Sequence, residues 1–149
     1  MTLASSRSDP KALAETVAQR MFANDAASRA LGMAIAAVGP GTARVTMTVR
    51  ADMLNGFAIC HGGLITTLAD SAFAFACNSY NQLTVAAGIA VDLLAPSHAG
   101  DELVADAREV VRRGRNGIYD ITVTNQRGEV VATVRGRSHT IKDKTVLEG

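Results

Sequence analysis

From Met33 onward, apolar positions recur at every second residue in one stretch after another, with a single interruption where the period lengthens to three and four. Ala43, Val45, Met47 and Val49 alternate with Arg44, Thr46, Thr48 and Arg50 after a Gly39-Pro40-Gly41 turn, which reads as a strand with one buried face. Val85, Ala87, Ile89 and Val91 continue into Leu93-Leu94-Ala95-Pro96, a strand stopped by proline. Leu103 to Val111 is the next strand, and Arg112 to Gly117 turns the chain back. Ile118 to Asn125 and Val130 to Ile141 follow, joined by Gln126-Arg127-Gly128. Strands joined by turns, with no helix between them, predict antiparallel pairing.

The interruption runs from Asn55 to Ser79. Leu64, Leu68, Ala72 and Phe75, flanked by Ile65, Ala69 and Ala76, have the spacing of a buried helix face. Upstream, Asp9-Pro10 supplies a capping side chain and a proline suited to a first helical position, and Leu13, Val17 and Met21 follow at helical spacing for a helix of about 13 residues. Asn24 and Asp25 restart a short helix that Gly32 ends. The layout is α+β: an antiparallel sheet of about five to six strands packed on one long central helix. A single domain over 1–149 is expected, with 10–31 as an N-terminal helical segment and 1–8 flexible.

Composition narrows the classes of partner. Hydrophobic residues make up 48% of the chain and aromatics only 4%, so the core is built from small and aliphatic side chains that allow close approach. The 15 Lys+Arg against 14 Asp+Glu leave a net charge of +1, which offers no general attraction for nucleic acid or a membrane surface. Cys60 and Cys77 form no disulfide framework, and the first ten residues lack a long apolar core and a processing pattern. The expectation is a reduced, cytoplasmic protein.

The chemistry concentrates on the central helix. Asp70 is its one carboxylate, on a stripe with Thr66, Ala74 and Cys77 away from Leu64, Leu68 and Phe75. Burying an unpaired carboxylate costs several kcal/mol, so Asp70 is either held in a structural network or functional. At the helix start, Gly62 and Gly63 leave the first backbone N–H groups uncovered at the positive end of the helix dipole, which suits a carbonyl oxygen acquiring negative charge. Gly62 and Asp70 are eight positions apart. At about 1.5 Å per residue that is roughly 12 Å, too far for both to touch one reacting carbonyl. If both are catalytic, the tip of one helix meets Asp70 of a second copy across a two-fold axis.

Other candidates are weaker. Cys60 and His61 are adjacent and project apart in extended chain, which disfavours a nucleophile dyad. His61, His98 and His139 lack metal-ligand spacing, so no metal is expected. Arg112, Arg113 and Arg115 cluster in a turn, and Arg135 and Arg137 share a strand face. Such arginines suit either solvent or the phosphates of a nucleotide-bearing substrate.

Asn55-Gly56, Cys60-His61-Gly62-Gly63, Leu68-Ala69-Asp70-Ser71-Ala72-Phe73-Ala74, and later Asp120 and Arg135-Gly136-Arg137-Ser138-His139 resemble the phenylacetic acid degradation (PaaI) type of hotdog-fold acyl-CoA thioesterase, over most of the chain from about Ala30 to Ile141. The resemblance implies a sheet wrapped round one helix, a homodimer that forms the site and pairs again into a homotetramer, and hydrolysis of aryl-acetyl-CoA thioesters such as phenylacetyl-CoA or hydroxyphenylacetyl-CoA. No separate cofactor is implied, since coenzyme A belongs to the substrate. By the same resemblance Asp70 is the catalytic carboxylate, the Gly62 N–H meets the thioester carbonyl, and Asn55 and His61 line the site. Gly63, Thr67, Ser71, Arg135 and Arg137 are the candidate substrate contacts. The rivals are a hotdog hydratase or dehydratase using His61 as base, and a non-catalytic acyl-CoA-binding module.

Overall fold

The computed structural model describes residues 9–148; residues 1–8, expected to be flexible, lie outside them. Helix α1 spans Pro10–Ala23, and the Asp9 carboxylate accepts the Lys11 N–H at 3.1 Å to satisfy one of its free donors. Helix α2 spans Ala26–Ala30, capped by Asp25, which accepts the Ser28 N–H at 2.9 Å. Gly32, at φ +70°, then turns the chain into strand β1, Ala34–Gly39. Strand β2, Thr42–Thr48, leads through a 3-10 turn at Ala51–Met53 to the central helix α3, Gly62–Cys77. Strands β3 (Thr84–Leu93), β4 (Glu102–Arg113), β5 (Asn116–Thr124) and β6 (Val130–Thr140) complete the chain.

The expected α+β hotdog architecture is present. All six strands are antiparallel in one sheet of order β1-β2-β4-β5-β6-β3, and α3 lies against every one of them. Val45, Met47, Leu103, Ala105, Ile121 and Val123 from the strands and Leu68, Ala72, Phe73 and Phe75 from the helix share one core. Each large side chain buried there contributes about 1.5–3 kcal/mol. Gly136 sets how closely the helix approaches the sheet: a Cβ at that position would sit 2.8 Å from the Phe73 ring, which packs on Tyr119 with ring centroids 5.5 Å apart.

Two details depart from the sequence pattern. Leu64, expected on the buried stripe, is only half-buried, whereas Phe73, on the opposite side of the helix, is sealed. The reason is that α3 is covered on two sides: Phe73 packs on Gly136 and Tyr119 of the sheet, while Phe75 meets Phe22 of α1 and Ser71 bonds Ser28 of α2. Strand β3, whose alternation suggests a buried face, instead ends the sheet: it pairs only with β6, and Val85, Ile89 and Leu93 are 45%, 37% and 54% exposed. A ten-residue apolar edge left open in this way is a ready template for another strand.

Candidate active site

The tip of α3 is fixed from several directions. The loop before it is closed by Asn55, whose side-chain oxygen accepts the Phe57 and Ile59 N–H groups at 2.9 and 3.4 Å while its own N–H donates to the Ile59 carbonyl at 2.8 Å. Ala58 adopts a left-handed conformation at φ 58°, a strain that this closed loop imposes on a residue with a Cβ. Cys60 and His61 then donate their N–H groups to the Ser97 and Met53 carbonyls at 2.7 and 2.8 Å. His61 is the N-cap, and its Nδ1 accepts the Gly63 N–H at 3.0 Å, which requires an unprotonated Nδ1.

That capping removes Gly63 from the set of open donors and leaves Gly62. Among the described residues no acceptor stands on the Gly62 N–H. A Cβ at Gly62 would meet Leu93 Cδ1 at 2.5 Å, so the bare α-carbon lets the end of β3 close over the helix tip. Between them lies a cavity of about 320 Å³ lined by Asn55, Ile59, Cys60, Gly62, Ile65 and the segment from Leu93 to Ser97. Its walls are mostly apolar, with an amide side chain and a helix tip at one side. Such a cavity suits an apolar acyl group whose carbonyl oxygen faces an oriented donor.

Asp70 lies two turns along α3, half-buried, with no hydrogen bond or ion pair among the described residues. Burial raises its carboxyl above the ordinary range, and the charge of Asp25 pushes it the same way. The hydroxyls of Thr67 and Ser71, the candidate substrate contacts, and of Thr66 are engaged elsewhere. Thr67 Oγ1 donates to the Gly63 carbonyl at 2.8 Å, and Thr66 Oγ1 to the Gly62 carbonyl at 2.9 Å. Ser71 is sealed against Ser28, Oγ to Oγ at 2.7 Å, and Ser28 donates in turn to Asp25 at 2.6 Å. Ser71 therefore ties α3 to α2 and does not reach Asp70.

The two arginines stand apart from the helix tip as well. Arg135 flanks Gly136, whose α-carbon faces α3, so the Arg135 side chain projects from the opposite face of the sheet. Asp120 takes its guanidinium by two hydrogen bonds, at 2.8 and 3.0 Å. Arg137 shares that face and lies over Gly88 of β3. Within one chain, then, the fold gathers Asn55, His61, Gly62 and Gly63 and leaves Asp70, Ser71, Arg135 and Arg137 elsewhere. Pattern reading missed Leu93 to Ser97 as a cavity wall; an apolar strand end before a proline carries no local sign of that use.

A family model described as the thioesterase superfamily matches residues 57–132. The chain is 48% identical to the acyl-coenzyme A thioesterase PaaI of Escherichia coli over 124 residues, which is 83% of this chain and 89% of that protein. It superimposes on the solved structure of the E. coli PaaI protein from the phenylacetic acid degradation operon with a TM-score of 0.90 and 44% identity, covering 92% of this chain and 99% of that one. A Streptococcus mutans protein solved bound to acetyl CoA matches at a TM-score of 0.73 and 26% identity, over 76% of this chain and 91% of the other.

Proposed function

The chain belongs to the thioesterase superfamily as a PaaI-type acyl-CoA thioesterase, and from that premise we propose that it hydrolyses aryl-acetyl-CoA thioesters, such as phenylacetyl-CoA or hydroxyphenylacetyl-CoA, to the free acid and coenzyme A. The observation that carries the reading is the pair formed by an open Gly62 N–H at the tip of α3 and an unpaired, half-buried Asp70 on its flank. A separation of roughly 12 Å along one helix keeps them from sharing a carbonyl within a chain. The working unit is therefore a homodimer, in which Gly62 of one protomer faces Asp70 of the partner subunit. The open apolar edge of β3 supports that assembly, because pairing it with its copy extends the sheet and brings the two α3 helices side by side, antiparallel. Pairing of two dimers into a homotetramer and a reduced, cytoplasmic setting complete the proposal.

In the proposed reaction the thioester carbonyl lies at Gly62 with its acyl group in the apolar cavity, while Asn55 and His61 orient it. Asp70 of the partner subunit takes a proton from water as the water oxygen bonds to the carbonyl carbon. Negative charge collects on the carbonyl oxygen, where the Gly62 N–H and the helix dipole stabilise it. Collapse breaks the carbon–sulfur bond and expels the coenzyme A thiolate, which takes up the proton. A carboxylate whose pKa is raised by burial is a stronger base than one in water, which favours this course. Attack by the carboxylate itself, through an anhydride, is the second course, and oxygen-18 from water found in the Asp70 side chain after one turnover would identify it.

The test is thiol release from phenylacetyl-, hydroxyphenylacetyl-, benzoyl- and medium-chain acyl-CoA. Asp70→Asn should lower kcat by roughly 10²–10⁴-fold with KM little changed. Unchanged hydrolysis in that variant would remove Asp70 from the chemistry, and binding with no thiol released from any thioester would favour a binding module. Addition of water to the double bond of an enoyl-CoA, with the thioester intact and no thiol freed, would point to hydration.

A further inference from the structure

A cavity of about 580 Å³ lies at the far end of the sheet from the tip of α3. Arg115, Lys142 and Lys144 line it against a single acid, Asp143. None of the three cations forms an ion pair among the described residues, unlike Arg135, which Asp120 already holds. The segment that presents the lysines is fastened down. The Thr140 N–H donates to the Arg115 carbonyl at 2.7 Å, the Ile141 N–H to the Leu83 carbonyl at 2.8 Å, and the Leu83 N–H to the Lys144 carbonyl at 3.0 Å. The Leu147 N–H then donates to Asn81 Oδ1 at 2.8 Å, and Asp143 makes a left-handed turn at φ 57° between the two lysines. Three cations without carboxylate partners, held round one opening, form a site for a multiply charged anion such as a phosphorylated nucleotide.

Strand β3 decides which anion. Its Thr84 end pairs with Thr140 beside this cavity, and its Leu93 end covers Gly62. Over ten residues the two ends are roughly 30 Å apart in one chain, beyond what a single site spans. Antiparallel pairing of β3 with its copy places the Leu93 end of one strand beside the Thr84 end of the other. The basic cavity of each protomer then lies at the same end of the dimer as the partner's helix tip. Given the dimeric thioesterase reading on which this rests, we infer that Arg115, Lys142 and Lys144 of one protomer bind the phosphorylated nucleotide end of the acyl-CoA whose thioester is held at the helix tip of the other. Each substrate then bridges two chains, and Arg135, already held by Asp120, is not a phosphate contact.

The experiment compares the wild-type protein with the triple variant Arg115→Ser, Lys142→Ser, Lys144→Ser on phenylacetyl-CoA and on phenylacetyl-pantetheine, which lacks the nucleotide. The variant should raise KM for phenylacetyl-CoA roughly tenfold, leave its kcat unchanged, and turn over the pantetheine thioester as the wild type does. An unchanged KM for phenylacetyl-CoA, or equal impairment of both substrates, would overturn the assignment. Calorimetric titration with adenosine 3′,5′-bisphosphate reads the site without turnover, so it decides even if the wild type hydrolyses neither thioester and the hydrolase reading falls. Binding that the variant loses, and that inorganic phosphate does not match, supports the site. Equal binding by both proteins, no binding by the wild type, or equally strong binding of inorganic phosphate overturns it.

Discussion

Asp70 carries a cost in the folded chain, because it is half-buried, meets no donor among the described residues, and stands within range of the Asp25 charge. A carboxyl whose pKa is raised by folding binds its proton more tightly in the native than in the unfolded state, so stability falls as pH rises from the ordinary carboxylate range through the raised value. Asp70→Asn removes that cost. The variant should melt at a higher temperature than the wild type at pH 7, with the gap closing as pH is lowered toward the ordinary carboxylate range; equal Tm values across the series would show that the carboxylate is relieved in solution. In the wild type, the acidic limb of kcat/KM should lie above the ordinary carboxylate range for the same reason. The oddity of this residue was legible in the sequence, since a lone carboxylate in an apolar run needs a cause. The partners of Thr67 and Ser71 were not, because a hydroxyl on a helix has several acceptors in reach and packing against α2 selected Ser28 for one of them.

At the scale of elements, the contact of α3 with β6 is set by Gly136, where the Phe73 ring occupies the place of a side chain. Gly136→Val should destabilise the fold by about 1–3 kcal/mol in urea denaturation, through overpacking against Phe73 and Tyr119. Pairing it with Phe73→Leu should recover part of that loss, whereas additive losses would place the strain elsewhere. The element boundaries themselves follow local signals: Asp9 and Asp25 cap the first two helices, and Gly32 ends the second. The way α3 is buried does not follow from its own periodicity. Helices α1 and α2 cover the stripe at Phe75 and Ser71, while the sheet seals Phe73 on the opposite side, which the pattern assigns to nothing.

For the whole molecule, the proposed site exists only in the assembly, and mixed dimers test that. Asp70→Asn chains and Gly62→Val chains should each be inactive alone. Heterodimers of the two should regain roughly half of wild-type activity, because one of the two composite sites is then intact. Verified heterodimers without activity would place each site within a single chain. The same pairing of β3 edges that builds this site would bring each basic cavity to the opposite helix tip.

The order of elements, their types, the antiparallel pairing, and the combination of a bare helix tip with a distant lone acid were all determined by the sequence, because periodicity and spacing are local properties of the chain. The order of strands in the sheet was decided by tertiary structure alone. Strand β3 crosses to pair with β6 and ends the sheet, yet its alternation would read the same in a central position. The division of the arginines was decided there too: Asp120 neutralises Arg135 across the β5–β6 pairing, while Arg115 joins two lysines from the end of the chain. Such outcomes depend on which residues distant in sequence come into contact, and no window along the chain contains both partners.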